Sequence, residues 1–155
     1  MTRRAARTIA CLLVAALTAI ALAPLSAAAA PAGPDIFTQM ADQVAAGVLA
    51  SPAVQAKTGS GRKVRIVIGD VTNDTDNDGV RVDDLSNEIR NQIVGAGVAR
   101  LFAAGAIDVD FIISPELTST MRDDGHGRRR CYTLNLTLST ASGEFVAATS
   151  ASRCS

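Results

Sequence analysis

Residues 64–97 read VRIVIGDVTNDTDNDGVRVDDLSNEIRNQIVGAG, and this stretch decides the fold. Val64–Val71 is apolar on both faces, which predicts a central β-strand covered by helices. A polar turn carrying Asn73 and Thr75 follows, and then an aspartate-rich loop. The loop leads into an amphipathic run, so we predict a strand, a turn, a loop and a helix in that order.

The helix after the loop has a regular apolar stripe. Leu85, Ile89 and Ile93 are spaced four residues apart and share one face of a helix. An aspartate of the pair 83–84 can cap its N-terminus, and the glycines within 95–97 end it. The spacing therefore predicts a helix with one apolar face turned to the core.

The segments on either side complete an α+β pattern. Asp35 can cap an earlier helix whose apolar positions follow helical spacing. Beyond the second helix, Ala99–Ala103 predicts a short strand and Val109–Leu117 a longer one, whereas Arg122–Arg130 is predicted to be a polar loop. An alternating run from Cys131 then predicts a terminal hairpin. The sequence predicts a single α+β domain over residues 36–155, with a mixed sheet of about four strands flanked by helices.

The N-terminus is predicted to be a targeting segment. Three arginines within residues 3–7 precede an uncharged apolar run over 8–24, and small residues follow at 26–30. This is the pattern of a secretory signal peptide over residues 1–29, with a short leader over 30–35. The alternative is a retained anchor, since residues 8–34 carry no charge. We expect cleavage, no stable membrane anchor afterwards, and a periplasmic or secreted protein.

Charge argues against a nucleic-acid partner. The chain has fifteen basic and fifteen acidic side chains, and removal of the signal takes three arginines and leaves a net charge of −3. A mildly acidic domain has no general attraction for nucleic acid. The acidic residues crowd into 70–84 and a basic triplet lies at 128–130. These segments are either two solvated loops or separate patches of a partner-binding surface.

Two cysteines remain in the mature chain, Cys131 and Cys154, which in an exported protein suggests a disulfide. A two-residue hairpin loop at Ser142–Gly143 would place the two cysteines opposite each other. A three-residue loop with a glycine bulge would misalign them by one residue. The pairing therefore depends on the geometry of the turn.

The aspartate-rich loop also resembles a calcium loop. Residues 74–79 place aspartates at loop positions 1, 3 and 5, with glycine at position 6. Position 12, which should supply a bidentate acid, is Leu85. We therefore predict no metal site and no cofactor, and keep a weak calcium- or ligand-binding loop as the alternative.

Six segments together resemble the LpoB family of penicillin-binding protein activators. In chain order they are Leu49–Pro52, Ile68–Thr75, Val82–Asp83 with Leu85, Asp110–Leu117, Tyr132–Leu136 and Ser142–Val146. The resemblance covers about residues 36–150, and it marks Asn73 and Thr75 as the family's polar turn. It implies a small sheet flanked by helices, a topology shared more loosely with curli-secretion and TolB N-terminal-like envelope domains.

The resemblance also implies a function. It points to a non-enzymatic protein that binds a periplasmic penicillin-binding protein and takes part in peptidoglycan biosynthesis. Family members are usually lipoproteins, whereas Cys11 precedes the apolar run and makes no credible lipobox. A third possibility is a structural subunit of the cell envelope. The sequence has no nucleophile elbow, phosphate-binding glycine loop or zinc-ligand cluster, and its single histidine, His126, lies in a predicted loop.

Overall fold

A computed structural model describes residues 35–155, except Asp78, Asp124 and His126. The predicted signal peptide, and all of the predicted leader but Asp35, lie outside the described residues. Within the described part, no helix has the length and hydropathy needed to cross a membrane.

The described chain forms three helices and a six-stranded mixed sheet. The elements are α1 (Ile36–Leu49), α2 (Pro52–Thr58), β1 (Val64–Ile68), β2 (Thr72–Asp74), α3 (Val82–Gly95), β3 (Ala99–Phe102), β4 (Phe111–Asp123), β5 (Arg128–Thr140) and β6 (Phe145–Cys154). The strand order is β3-β1-β4-β5-β6, and β2 pairs with β4 beyond the end of β1. The α+β class is confirmed, with six strands in place of about four.

The core lies between the helices and one face of the sheet. Alternate residues of β4, β5 and β1 are buried there with residues of all three helices in a single hydrophobic cluster. Its largest fully buried side chains are Met40, Ile66, Ile89, Ile93, Ile113, Leu117, Leu134, Leu136 and Leu138. Because strand side chains alternate, the remaining residues of these strands lie on the other face, which we call the open face.

Helix α1 is fixed at its start and approaches β6 closely. The Asp35 carboxylate accepts hydrogen bonds from the backbone N–H groups of Phe37 and Thr38 at 2.8 and 2.9 Å, so the predicted cap is present. Further along, a methyl group at Gly47 would collide with the side chain of Thr149 on β6. Although glycine has a low helix propensity, Gly47 allows α1 to lie close to the sheet because it has no side chain.

Strand β1 is central, but not for the reason that its sequence suggested. It pairs in parallel with β3 on one side and β4 on the other, and it ends at Ile68 rather than Val71. Val64 and Ile66 face the core, whereas Val67 lies on the open face and is buried although it is not part of the core cluster. Its neighbours in register are Phe102 and Ile112, so adjacent strands rather than helices shield it.

Helix α3 has the predicted apolar face but not the predicted cap. Its N-cap position is Arg81, which makes no side-chain capping hydrogen bond. Asp83 and Asp84 lie inside the first turn, where a carboxylate is favoured by the helix dipole. Arg81 instead pairs with Asp84, at 2.9 Å from Nε to Oδ2.

The predicted polar loop at 122–130 is wrong at both ends. Strand β4 continues to Asp123 and β5 begins at Arg128, and these two residues are register partners. Between the two strand ends, Gly125 and Gly127 have φ values of 80° and 145°. The pairing of β4 and β5 continues from the buried half of the hairpin into its polar half. The local composition of the polar half gave no sign of a strand.

The terminal hairpin has the three-residue loop with a glycine at positive φ and not the two-residue loop. Next to the turn, Ser139 pairs with Phe145, and Gly143 has a φ of 86°. A bulge between Leu138 and Ser139 then shifts the register by one residue, so that Cys131 pairs with Cys154. The structure joins these two cysteines by a disulfide across β5 and β6.

Candidate partner-binding surface

The open face carries an apolar row that crosses the sheet from edge to edge. In register, the row consists of four apolar residues, Phe102, Val67, Ile112 and Phe145, and of Ser139, whose hydroxyl donates to the Ile112 carbonyl at 3.5 Å. The aromatic residues at its two ends are 40% and 65% exposed, respectively. Exposed aromatic side chains on a flat, rigid surface are typical of protein-binding sites. We call these five residues the apolar row.

Polar side chains flank the apolar row on both sides. Towards the C-terminal end of β4, the open face carries polar and charged residues, with Ser114 paired to Thr137 and Glu116 paired to Asn135. Towards the other end, Arg65 and Arg100 are direct register partners on β1 and β3. An apolar centre with a polar rim is the usual arrangement in a protein–protein interface.

The acidic and basic segments, predicted to be separate, are joined on the helical side of the sheet. The Asp76 carboxylate forms an ion pair with the Arg130 guanidinium and accepts a hydrogen bond from the Ser119 hydroxyl at 3.0 Å. The Ser119 hydrogen bond and the Arg130 charge hold the pKa of Asp76 below its usual value. The loop is thereby attached to the β4–β5 hairpin.

A second contact anchors the same loop to the core. The Asn77 side-chain amide donates to the Tyr132 hydroxyl at 2.6 Å. Tyr132 is buried, and its ring meets the Phe37 ring edge-on with centroids 5.0 Å apart. Tyr132 is the only tyrosine in the chain, and the alternation of β5 could have predicted that it is buried.

Asn73 and Thr75 bond to each other at the start of the loop. Asn73 is the middle residue of β2, and its side-chain oxygen accepts from the Thr75 N–H at 3.2 Å and from the Thr75 hydroxyl at 2.8 Å. This local pattern ends the short strand and turns the chain. Neither residue is part of the apolar row.

Two described residues of the calcium-loop pattern have other roles in the structure. Leu85, at the position that needs an acid, is buried in the core. Asp76 is engaged by Arg130 and Ser119, and no group of three His, Cys, Asp or Glu side chains among the described residues could hold a metal ion. Asp78, the third aspartate of the pattern, and His126 lie outside the described residues.

Asp110, at the start of β4, organises the end of the sheet where Arg65 and Arg100 pair. Its side chain is only 6% exposed, and it accepts a hydrogen bond from the Arg65 N–H at 2.9 Å. Removal from water raises the pKa of Asp110, but the Arg65 N–H and the nearby Lys57 outweigh this, and the pKa lies below its usual value. A single acid in the apolar run 109–113 is the sequence signal for this buried carboxylate.

The fold matches that of the LpoB C-terminal domain. A family model described as peptidoglycan-synthase activator LpoB matches residues 37–109. The solved LpoB C-terminal domains of Salmonella enterica and Escherichia coli each superpose with a TM-score of 0.58 at 9% identity. Each superposition covers 77% of this chain and 98% of that domain.

This protein is LpoB-like, as the six sequence segments implied. Comparison with the curated protein sequences finds no match. The matched family is one of activators, which regulate an enzyme rather than act as one.

Proposed function

We propose that this protein is an exported, non-enzymatic binding domain that activates a peptidoglycan synthase of the penicillin-binding type. The observation that carries the proposal is the family match over residues 37–109, together with a fold that covers almost the whole LpoB C-terminal domain. The predicted signal peptide would deliver the protein to the periplasm or the cell exterior, where such synthases work.

The apolar row is the part of the surface that we assign to the synthase. Phe145 lies on the edge strand β6, and its side chain is 65% exposed. A phenylalanine can bury about 200 Å², so a partner could remove about 130 Å² from water at this one residue. At about 25 cal/mol per Å², that burial would stabilise the complex by about 3 kcal/mol, or about a hundredfold in Kd.

Activation in this scheme is a shift between two states of the synthase. A ligand shifts the equilibrium between two conformations by the difference between its binding free energies for them. The sheet supplies a rigid surface for such selection because the row is built on five paired strands rather than on loops. No side chain of this protein needs to take part in glycan or peptide bond formation.

Binding of a purified periplasmic region of a penicillin-binding protein tests the proposal. We expect Phe145→Ala to weaken binding by about tenfold to a hundredfold, with little effect on stability because the side chain is mostly exposed. Val94→Ala is the matched control, since Val94 is 52% exposed on α3 and lies away from the open face.

The measurement is isothermal titration calorimetry with the unmodified chain and both variants. Equal loss of affinity in the two variants would remove the open face from the interface. No binding by the unmodified chain to any of the host's penicillin-binding proteins would remove the proposed function itself.

A further inference from the structure

Five basic side chains gather at the end of the open face next to Phe102. They are Lys57, Arg62, Lys63, Arg65 and Arg100, and we call this group the cationic cleft. A cleft of about 560 Å³ is lined by four of them, with Gly61. They come from α2, the α2–β1 loop, β1 and β3, so the fold and not a run of sequence brings them together.

Asp110 positions three of these cations without neutralising the group. Its carboxylate lies 3.4 Å from the Lys57 ammonium and 3.8 Å from a guanidinium nitrogen of each of Arg62 and Arg65. Both guanidinium contacts exceed hydrogen-bond distance, so the donors of the two arginines remain available. Its single negative charge therefore contacts three of the five cations and leaves the group positive on balance.

Arg100 and Lys63 form no ion pair with Asp110 in the described part of the chain. Both are exposed, and neither forms an ion pair or side-chain hydrogen bond with another residue in the described part of the chain. Arg100 lies beside Arg65 in register, and like charges on neighbouring strands destabilise a sheet. The rest of the chain is acidic on balance, so the cleft is a local concentration of positive charge and not part of a generally basic surface.

We propose that the cationic cleft binds a phosphate oxyanion, as a phosphomonoester or a diphosphate. Guanidinium groups donate paired hydrogen bonds to phosphate oxygens, and lysine adds a point charge. A bound oxyanion would offset the repulsion between Arg65 and Arg100. The phosphate could belong to a soluble molecule or to a lipid headgroup at the membrane surface.

Calorimetry with pyrophosphate tests the cleft directly. We expect the purified protein to bind at low salt and to bind more weakly as salt is added, because the contacts are ionic. Arg100→Gln should weaken binding by about tenfold or more. Lys63→Gln removes a second charge of the cleft, from a loop residue, and should also weaken binding. Arg122→Gln is the control: it makes the same change of charge at the far end of β4 and should bind like the unmodified protein.

A second arm distinguishes the sources of the phosphate. Sedimentation with vesicles of phosphatidylcholine, alone or mixed with phosphatidic acid, whose headgroup is a phosphomonoester, reports binding to lipid headgroups. Retention on the mixed vesicles that is lost in Arg100→Gln would support the cleft and assign the phosphate to lipid. Pyrophosphate binding without vesicle retention would support the cleft and assign it to a soluble molecule.

Two outcomes would overturn the inference. The first is no binding in either arm, or binding that Arg100→Gln and Arg122→Gln weaken equally. The second is unchanged phosphate binding in Arg100→Gln with weaker binding to the synthase, which would place these arginines in the protein interface. Since the first arm uses no synthase, failure of the cleft and failure of the proposed function remain distinguishable.

Discussion

Replacing Asp110 with asparagine tests how the buried carboxylate holds the cationic end of the sheet. The substitution keeps the size of the side chain and an oxygen that can accept from the Arg65 N–H. It removes the charge that faces Lys57, Arg62 and Arg65 at 3.4–3.8 Å. The variant therefore separates the electrostatic contribution of Asp110 from its packing.

The expected loss is about 2 kcal/mol in the free energy of unfolding at neutral pH. A hydrogen bond contributes about 1.5–3 kcal/mol with a charged acceptor and about 0.5–1.5 kcal/mol with a neutral one, so loss of the charge costs about 1 kcal/mol at the Arg65 N–H. The three cationic partners of Asp110 are 41–67% exposed, so each ion pair adds only about 0–1 kcal/mol. Repulsion among the unpaired cations acts in the same direction.

Urea unfolding at two pH values gives the test. The pKa of Asp110 is lowered in the folded protein, so its contribution is present above the unfolded pKa of about 3.9. That contribution is lost as pH falls through the folded pKa. The unmodified protein should therefore exceed Asp110→Asn by about 2 kcal/mol near pH 7, and by progressively less below about pH 4.

An exposed carboxylate provides the control. Asp70 is exposed beyond the end of β1 and forms no ion pair within the described chain. Asp70→Asn should leave stability within about 0.5 kcal/mol at both pH values. A difference for Asp110→Asn that does not change with pH, or no difference at all, would refute the electrostatic role of Asp110.

Three further changes probe the packing of the fold. Gly47→Ala should lower the free energy of unfolding by about 1–3 kcal/mol through its collision with Thr149, and Thr149→Ala in the same chain should restore most of it in urea unfolding. Tyr132→Phe should cost about 1 kcal/mol, because the Asn77 amide loses its acceptor, and should speed hydrogen exchange in the acidic loop. Reduction of the disulfide should cost about 2–4 kcal/mol and speed exchange in β6.

Each of these has a clear contrary result. A double variant at 47 and 149 no more stable than Gly47→Ala alone would mean that α1 does not approach β6 as described. Unchanged exchange in the acidic loop of Tyr132→Phe would mean that the loop is held elsewhere. Unchanged exchange in β6 after reduction would show that strand pairing alone secures the C-terminus.

Local sequence signals were sufficient for helices α1 and α3 and for the centre of the sheet. The Asp35 cap could be predicted because the Asp35 carboxylate accepts from N–H groups only two and three residues further along the chain. The stripe of Leu85, Ile89 and Ile93 is likewise a local periodicity, and all three side chains are buried. The α+β class follows from the order of such segments.

Features that depend on distant partners could not be predicted in this way. Strands β4 and β5 remain paired as far as Asp123 and Arg128 because the backbone hydrogen bonding of the ladder continues there. Neither strand is apolar in that part. The ion pair between Asp76 and Arg130 joins residues 54 positions apart, so composition alone suggested two separate loops. The apolar row also emerges only once register is known, since its five members come from five strands.

The rate of glycan-chain synthesis by a purified penicillin-binding protein tests the central claim most directly. We expect addition of this protein to raise the rate, and addition of the Phe145→Ala variant to raise it only at much higher concentration. A synthase that binds the unmodified protein but polymerises at an unchanged rate would contradict activation.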